Sequence, residues 1–440
     1  MTDLQIGFTA FAAILVLVAL RMPIGVALAL AAIVGLYFVA GPTVTISLSG
    51  SLPYEFAANW ELSAVPTFLL MGAIVYRAGL SEPLFHAMSI WLRPLPGGLA
   101  IASNLACAIF AAACGSSVAT TVAMGRIAIP EMLKVRYDAG LAAAVCACAG
   151  TLGSMIPPSV MMIIYCAFTG QSVAALFIAG VVPGLLTAAV YAAMILTRVM
   201  INPALAPRRP EISRRADKIE VAKRAWGLPV LVVLVIGSIY GGVATPTEAG
   251  AFGSLCTMVL ARLTGKFNAA ILWDSMVEAL RSTATIFFVA LGAVLLTRLV
   301  VLSGVPDYLT GMLAGTKIGL LMLLAGIAVT YLILGCFLEP ISIMLLTLPI
   351  IVPALTELHV NLIWFGILIV KLLEIGLITP PVGLNVFAAK TVGGDQISLG
   401  QIFGGCSWFL FCELIILVLL VAFPQISLFL PQTVGLMRYQ

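Results

Sequence analysis

Two proline pairs lie 223 residues apart in almost unbroken apolar sequence: Pro157-Pro158 in GTLGSMIPPSV and Pro380-Pro381 in EIGLITPPVGLNVF (380 − 157 = 223). The same offset joins Pro130 in IAIP to Pro353 in IIVP (353 − 130 = 223), and Pro23 in RMPIGVAL to Pro246 in ATPTEAGA (246 − 23 = 223). Three matches at one spacing read as an internal duplication, which settles the architecture before any single element is assigned.

The medium these halves fold in follows from their polarity. Apolar residues make up 62% of the chain and charged residues 9%, with a mean hydropathy of +1.17, outside the range of soluble domains. A hydrocarbon core about 30 Å thick takes about 20 apolar residues per helix, so the 440 residues leave room for roughly ten to twelve spans in one membrane domain. The first apolar stretch, 6–20, follows Asp3 rather than a basic residue and has no small-residue cleavage pattern, so it reads as a retained span and not a signal.

Charge gives the orientation. The formal net charge of +4 comes largely from Arg208, Arg209, Arg214, Arg215, Lys218, Lys223 and Arg224. This cluster is mixed with Glu211, Asp217 and Glu220 and lies between two apolar halves, which marks a cytoplasmic linker rather than a nucleic-acid patch. The stretch 41–61 holds Glu55 and Glu61 but no Lys or Arg and reads as an outward loop, whereas Arg77, Arg93, Lys134 and Arg136 mark inward-facing stretches. The apolar run 97–130 therefore starts and ends inside, interrupted at Gly115-Ser116-Ser117, as a re-entrant hairpin does. Its counterpart 319–353 breaks at GCFLEP and is followed by Glu357 and His359, so it enters from outside.

The predicted fold is all-α and polytopic, with two inverted-topology repeats of about five spans, each with one hairpin and one broken helix. The first repeat covers 1–205, with a hairpin at about 97–130 and a broken helix at about 138–168; a basic linker covers 206–225. The second covers 226–440, with a hairpin at about 319–353 and a broken helix at about 361–390.

Backbone polar groups need partners in hydrocarbon, so irregular chain at membrane depth marks a protein-lined or water-lined site. Pro157 and Pro158 lack N–H donors, and Gly150 and Gly153 weaken the preceding turn, leaving carbonyls that suit a cation. The next half-helix, starting near Ser159, suits an anion, and the same holds from Gly376 to Pro381 with Asn385 one turn beyond. At the hairpin tips, Ser116 and Ser117 are expected to cap the returning half, and Glu339 precedes Pro340, a favoured first helical residue. An acid at membrane depth costs about 2.5 to 3.5 kcal/mol, so Glu339 needs a cation or a hydrogen-bond partner.

Lys371 and Glu374 share one helical face, as a structural ion pair or as groups near the solute. Arg126 and Arg298 read as snorkelling anchors, although a carboxylate solute would want such a cation. Gly35, Gly72 and Gly292 read as packing residues. The nine cysteines are scattered and there are two histidines, a pattern without metal or disulfide framework. Ser116 and Ser117 have no histidine near them in sequence, so no enzyme is expected.

At these residues the chain resembles the large membrane subunit of the tripartite ATP-independent periplasmic (TRAP) transporters. The segments are CGSSVATTVAMGRIAIPEM, AGTLGSMIPPSVMMIIY, GGVATPTEAGAFGS, FLEPISIMLLTLPIIVP and WFGILIVKLLEIGLITPPVGLNVF. The resemblance implies an elevator-type, sodium-driven importer of an organic acid in the bacterial cytoplasmic (inner) membrane. It also implies a small membrane subunit and a soluble extracytoplasmic binding protein as partners.

Carried over, one sodium site involves Ser116 and Ser117 with carbonyls around Gly153, Ile156 and Pro158. The other involves Glu339 with Gly376, Thr379 and Pro381. Ser116, Ser159, Asn385, Lys371 and Arg126 are the candidates for the solute. Two positions depart from the family pattern: Glu339 stands where Asp is common, and Lys371 is unusual for its place. No GxxxxGK[ST] loop is present, so ATP drive is not expected. Ion coupling fits better, since one charge crossing 100 mV supplies about 2.3 kcal/mol. The alternative is a self-sufficient sodium–dicarboxylate symporter of related architecture, which needs no binding protein.

Overall fold

A computed structural model describes residues 2–207, 215–313 and 319–435, and every regular element among them is helical. The first half contains α1 (Asp3–Ala19), α2 (Ile24–Ala57), α3 (Ala64–Arg77), α4 (Ser81–Leu92), α5 (Gly98–Cys114) and α6 (Ser117–Lys134). It continues with α7 (Ala139–Met155), α8 (Val160–Thr169) and α9 (Val173–Ile201). Arg208, Arg209, Glu211 and Arg214 of the basic cluster lie outside the described residues. The rest of the linker is not a loop: α10 (Arg215–Ala225) is helical, and the Trp91 indole N–H donates to the Lys218 carbonyl at 3.2 Å.

The second half contains α11 (Gly227–Tyr240), α12 (Pro246–Leu263), α13 (Ala269–Leu302), α14 (Val305–Leu313), α15 (Gly319–Gly335) and α16 (Pro340–Glu357). It ends with α17 (Leu362–Ile378), α18 (Leu384–Gly393), α19 (Leu399–Ala422) and α20 (Gln425–Thr433). The proline offset recurs in the elements. Both ends of α6 and α16 are 223 apart (340 − 117 and 357 − 134), as are both ends of α7 and α17 (362 − 139 and 378 − 155).

Two groups of helices organise the chain. In the first, α2 and α13 lie along one another, with α3 and α12 beside them. Their outer faces carry Phe38, Val259 and Leu280, which are exposed, as a lipid-facing surface requires. In the second, α7 is buried from Gly140 to Met155 and α17 from Ile363 to Ile378, surrounded by α5, α6, α9, α18 and α19. A helix apolar on all sides belongs in an interior. Small residues allow α7 to sit there: AGLAAAVCACAGTLGSM has no side chain larger than Leu or Met.

The glycines read as packing residues do lie at close approaches. A Cβ on Gly72 would stand 2.7 Å from the Cys114 carbonyl oxygen, and one on Gly292 would stand 2.7 Å from that of Gly25. A Cβ on Gly35 would collide with the Leu299 side chain.

Two sequence expectations need correcting. The stretch 41–61 is not an extended loop, because α2 continues to Ala57. Gly41, at φ +80°, interrupts the helix for one residue, and Pro42 then occupies a first turn whose N–H groups have no helical partner anyway. The roughly ten to twelve spans for which the length leaves room are also not all full-length helices. Among the described residues six helices are long and apolar enough to cross, or seven with the pair Trp60–Arg77 and Ser81–Leu92, bent by 66°. Four shorter apolar helices, Asp3–Ala19, Gly98–Cys114, Gly227–Tyr240 and Gly319–Gly335, make up much of the difference, since glycines, tips and breaks cut the apolar sequence into pieces.

Candidate functional site

The first hairpin turns at Gly115, which adopts φ +64° between α5 and α6. A Cβ there would also stand 2.8 Å from the Pro158 carbonyl oxygen, so glycine is required by conformation and by space. Gly153 completes the approach, since a Cβ on it would lie 2.8 Å from the backbone of Ser116. The tip therefore lies backbone to backbone on the last turn of α7.

Ser116 and Ser117 do not cap the returning helix through their side chains, contrary to the sequence expectation. Ser116 is the N-cap residue but makes no side-chain cap bond. The Ser117 hydroxyl instead pairs with that of Ser154 and donates to the Thr151 carbonyl at 3.3 Å. Close approach to α7 offers these partners in place of the helix's own N–H groups.

The second tip repeats the approach with other chemistry. A Cβ on Gly335 would stand 2.8 Å from the Gly376 Cα, and one on Gly376 would stand 2.9 Å from the Gly335 Cα. The Cys336 thiol donates to the Pro380 carbonyl at 3.1 Å. Here the expected cap forms: Glu339 Oε2 accepts from the Ser342 N–H and from its hydroxyl, both at 3.2 Å, with Pro340 as the first helical residue.

Each broken helix parts at its proline pair, and both Pro–Pro peptide bonds are cis. Ile156 to Val160 are all buried, whereas Pro380 and Pro381 are exposed and Thr379 is half-buried. The Thr379 hydroxyl donates to the Ile375 carbonyl at 2.6 Å. The Ser159 hydroxyl and the Asn385 amide oxygen are buried without a hydrogen-bond partner among the described residues. The Asn385 amide nitrogen donates to the Ala147 carbonyl at 3.1 Å.

A cleft of about 600 Å³ brings the two tips together. Ser116, Ser117, Glu339 and Ser342 line it from the tips and Ser154 from α7, while Arg281, Ser282 and Thr285 line it from α13. A larger open hollow of about 890 Å³ lies at Trp91 and α10, but no tip or break reaches it.

The sequence candidates divide accordingly. Ser116, Ser117 and Glu339 line the cleft, with Gly153, Ile156, Pro158, Gly376, Thr379 and Pro381 at the breaks against which the tips lie. Ser159, Asn385 and Lys371 are buried and not part of its lining, and Arg126 is exposed on α6 outside it. Sequence reasoning passed over Ser154, Ser342 and the α13 trio. Arg281 carried a signal, as an arginine within a long apolar helix, but nothing local tells which neighbour it faces.

Lys371 has a separate setting. Its ammonium donates to Glu374 Oε2 at 3.0 Å, to Glu413 Oε1 at 3.0 Å and to the Thr187 hydroxyl at 3.0 Å. The Tyr191 hydroxyl donates to the same Glu413 carboxylate. Lys371, Glu374 and Glu413 are each 0% exposed. The pair legible in sequence is thus part of a buried cluster joining α9, α17 and α19, and Glu413 was missed because it lies 42 residues beyond Lys371.

Comparison with known proteins agrees with this architecture. Residues 11–426 match the family model described as "Tripartite ATP-independent periplasmic transporter, DctM component". The C4-dicarboxylate TRAP transporter large permease protein of Pseudomonas aeruginosa is 35% identical over 384 residues, covering 87% of this chain and 89% of that relative. The isethionate TRAP transporter permease protein DctMQ of Oleidesulfovibrio alaskensis is 32% identical, covering 86% of this chain and 59% of the longer relative. The crystal structure of the Alcanivorax borkumensis YdaH transporter shares the fold, with a TM-score of 0.60 at 17% identity, covering 87% of this chain and 89% of that one.

Proposed function

This chain belongs to the DctM component family of the tripartite ATP-independent periplasmic transporters, and on that premise we propose that it imports a small organic acid with sodium as the coupling ion. It is the large permease of such a system, a multi-pass protein of the bacterial inner membrane. The longer DctMQ relative, of which this chain spans 59%, is consistent with a small membrane subunit as one partner. An extracytoplasmic solute-binding protein is the other.

The observation that carries this reading is the convergence of both hairpin tips, each laid on a broken helix, at one cleft holding Glu339. Oxygens there suit a hard monovalent ion. In our reading one sodium is held by Ser116 and Ser117 with the carbonyls of Gly153, Ile156 and Pro158. A second is held by Glu339 with Gly376, Thr379 and Pro381.

The helices around α7 and α17 then move as a block past α2 and α13, carrying the tips, an elevator cycle with two inverted repeats. The solute is a carboxylate, as the C4-dicarboxylate relatives suggest.

The test is uptake of radiolabelled succinate into proteoliposomes holding this chain and its small subunit, with and without a sodium gradient and the cognate binding protein. Uptake is expected to require both, and Glu339→Gln is expected to reduce sodium activation at least tenfold while leaving expression unchanged. Uptake without the binding protein would make the chain a self-sufficient sodium–dicarboxylate symporter, and unchanged activation in Glu339→Gln would remove the carboxylate from the sodium site.

A further inference from the structure

We propose that Arg281, on α13 across the cleft from the two tips, receives a carboxylate of the solute and sets the cleft's preference for anions. This deepens the import reading and rests on it.

The argument begins with the cations within reach. Lys371 is fully enclosed by Glu374, Glu413 and Thr187, and Arg126 lies outside the cleft. Among the described residues Arg281 is the one basic residue in the cleft lining, and Glu339 the one acidic residue.

The acids nearest Arg281 in sequence already have a cation. Glu278 and Asp274, three and seven residues earlier on α13, pair with Arg77 at 2.7 and 3.5 Å. Among the described residues no carboxylate forms an ion pair with Arg281, whose side chain is exposed to the cleft. The guanidinium presents a donor fork of the kind that receives a carboxylate on two parallel N–H bonds, with Ser282 in the same lining, while the Thr285 hydroxyl donates to the Arg281 carbonyl at 3.0 Å. A mostly apolar cleft of about 600 Å³ with a few polar groups falls within the size range and character of small-molecule sites.

The position of Arg281 also limits when it acts. It stands on the helix that packs along α2, not on the group carrying the tips. The Arg77 layer, read as cytoplasmic, lies three residues away, about 4.5 Å along the helix axis. Arg281 therefore meets the solute when the tips face this side, as a station on the release path rather than a passenger on the moving block.

The test is equilibrium binding of succinate, and of its uncharged diamide, to the purified complex of large and small subunits in saturating sodium. Arg281→Gln is expected to raise the succinate dissociation constant at least tenfold and abolish the preference for succinate over the diamide, with Arg281→Lys in between. Sodium-driven succinate uptake by the wild type is measured in parallel. If the wild type takes up succinate while Arg281→Gln binds it as tightly and as selectively, the assignment of Arg281 is overturned and the import reading stands. If the wild type shows no sodium-driven uptake of succinate, the import reading falls and this assignment with it. If Arg281→Gln does not yield a monodisperse complex, Arg281→Lys decides: a severalfold loss supports the bidentate contact, and unchanged binding overturns it.

Discussion

The two broken helices share a backbone plan and differ in nearly everything else. α7–α8 and α17–α18 part at equivalent proline pairs, and the opposing tip lies on the glycine four residues before each pair, Gly153 or Gly376. Yet the first break is buried, while the second is open at Pro380 and Pro381. The offset of 223 places Cys148 where the second half has Lys371, Thr151 where it has Glu374, and Ser116 where it has Glu339. Backbone geometry is therefore common to the two breaks, while Lys371, Glu374 and Glu339 are found only at the second set of positions. The first tip and break are held by hydroxyls and close packing, whereas the helix before the second break carries the buried cluster that ties α17 to α9 and α19.

That contrast can be broken at its centre. Lys371→Met leaves Glu374 and Glu413 buried without a counter-charge, and is expected to destabilise the protein by about 3–5 kcal/mol. A thermal melt of the detergent-purified complex measures this. Cys148→Ala, at the matching position, is expected to cost only about 1 kcal/mol, because it removes a small buried apolar group. Equal losses at the two positions would show that the ion cluster adds nothing the first half lacks.

A smaller effect sharpens the shared part. Gly153→Ala and Gly376→Ala both force a methyl onto tip backbone, at 2.8 and 2.9 Å, where no flexible side chain can yield. Each is expected to cost about 1–3 kcal/mol as an overpacked contact, with a matching loss of uptake. A tolerated change at one position alone would mean that the two tips are not held in the same way. The smallest effect is Ser117→Ala, which deletes the hydroxyl contacts with Ser154 and Thr151 and is expected to cost about 1 kcal/mol in the same melt. A loss as large as that of Lys371→Met would mean that hydroxyls hold the first tip and break as firmly as charges tie α17 to its neighbours.

Much of the site was legible because proline, glycine and helix caps act locally. Pro157-Pro158 and Pro380-Pro381 end their helices whatever surrounds them, and Glu339 caps α16 with the residue three places on. The same local logic misread 41–61, where a single left-handed glycine was enough to let α2 resume. It also gave Ser117 the wrong partner, because the competing acceptors on α7 lie 34 and 37 residues away.

The sequence by itself determined the membrane medium, the 223-residue spacing and the positions of breaks and tips, since apolarity, spacing and backbone restriction are written residue by residue. Only the tertiary structure decided that Lys371 takes Glu413 as a second partner and that Arg281 shares a cleft with Glu339. Those pairings join helices 42 and 58 residues apart (413 − 371 and 339 − 281). Which faces meet depends on how whole helices pack, and no local propensity carries that information.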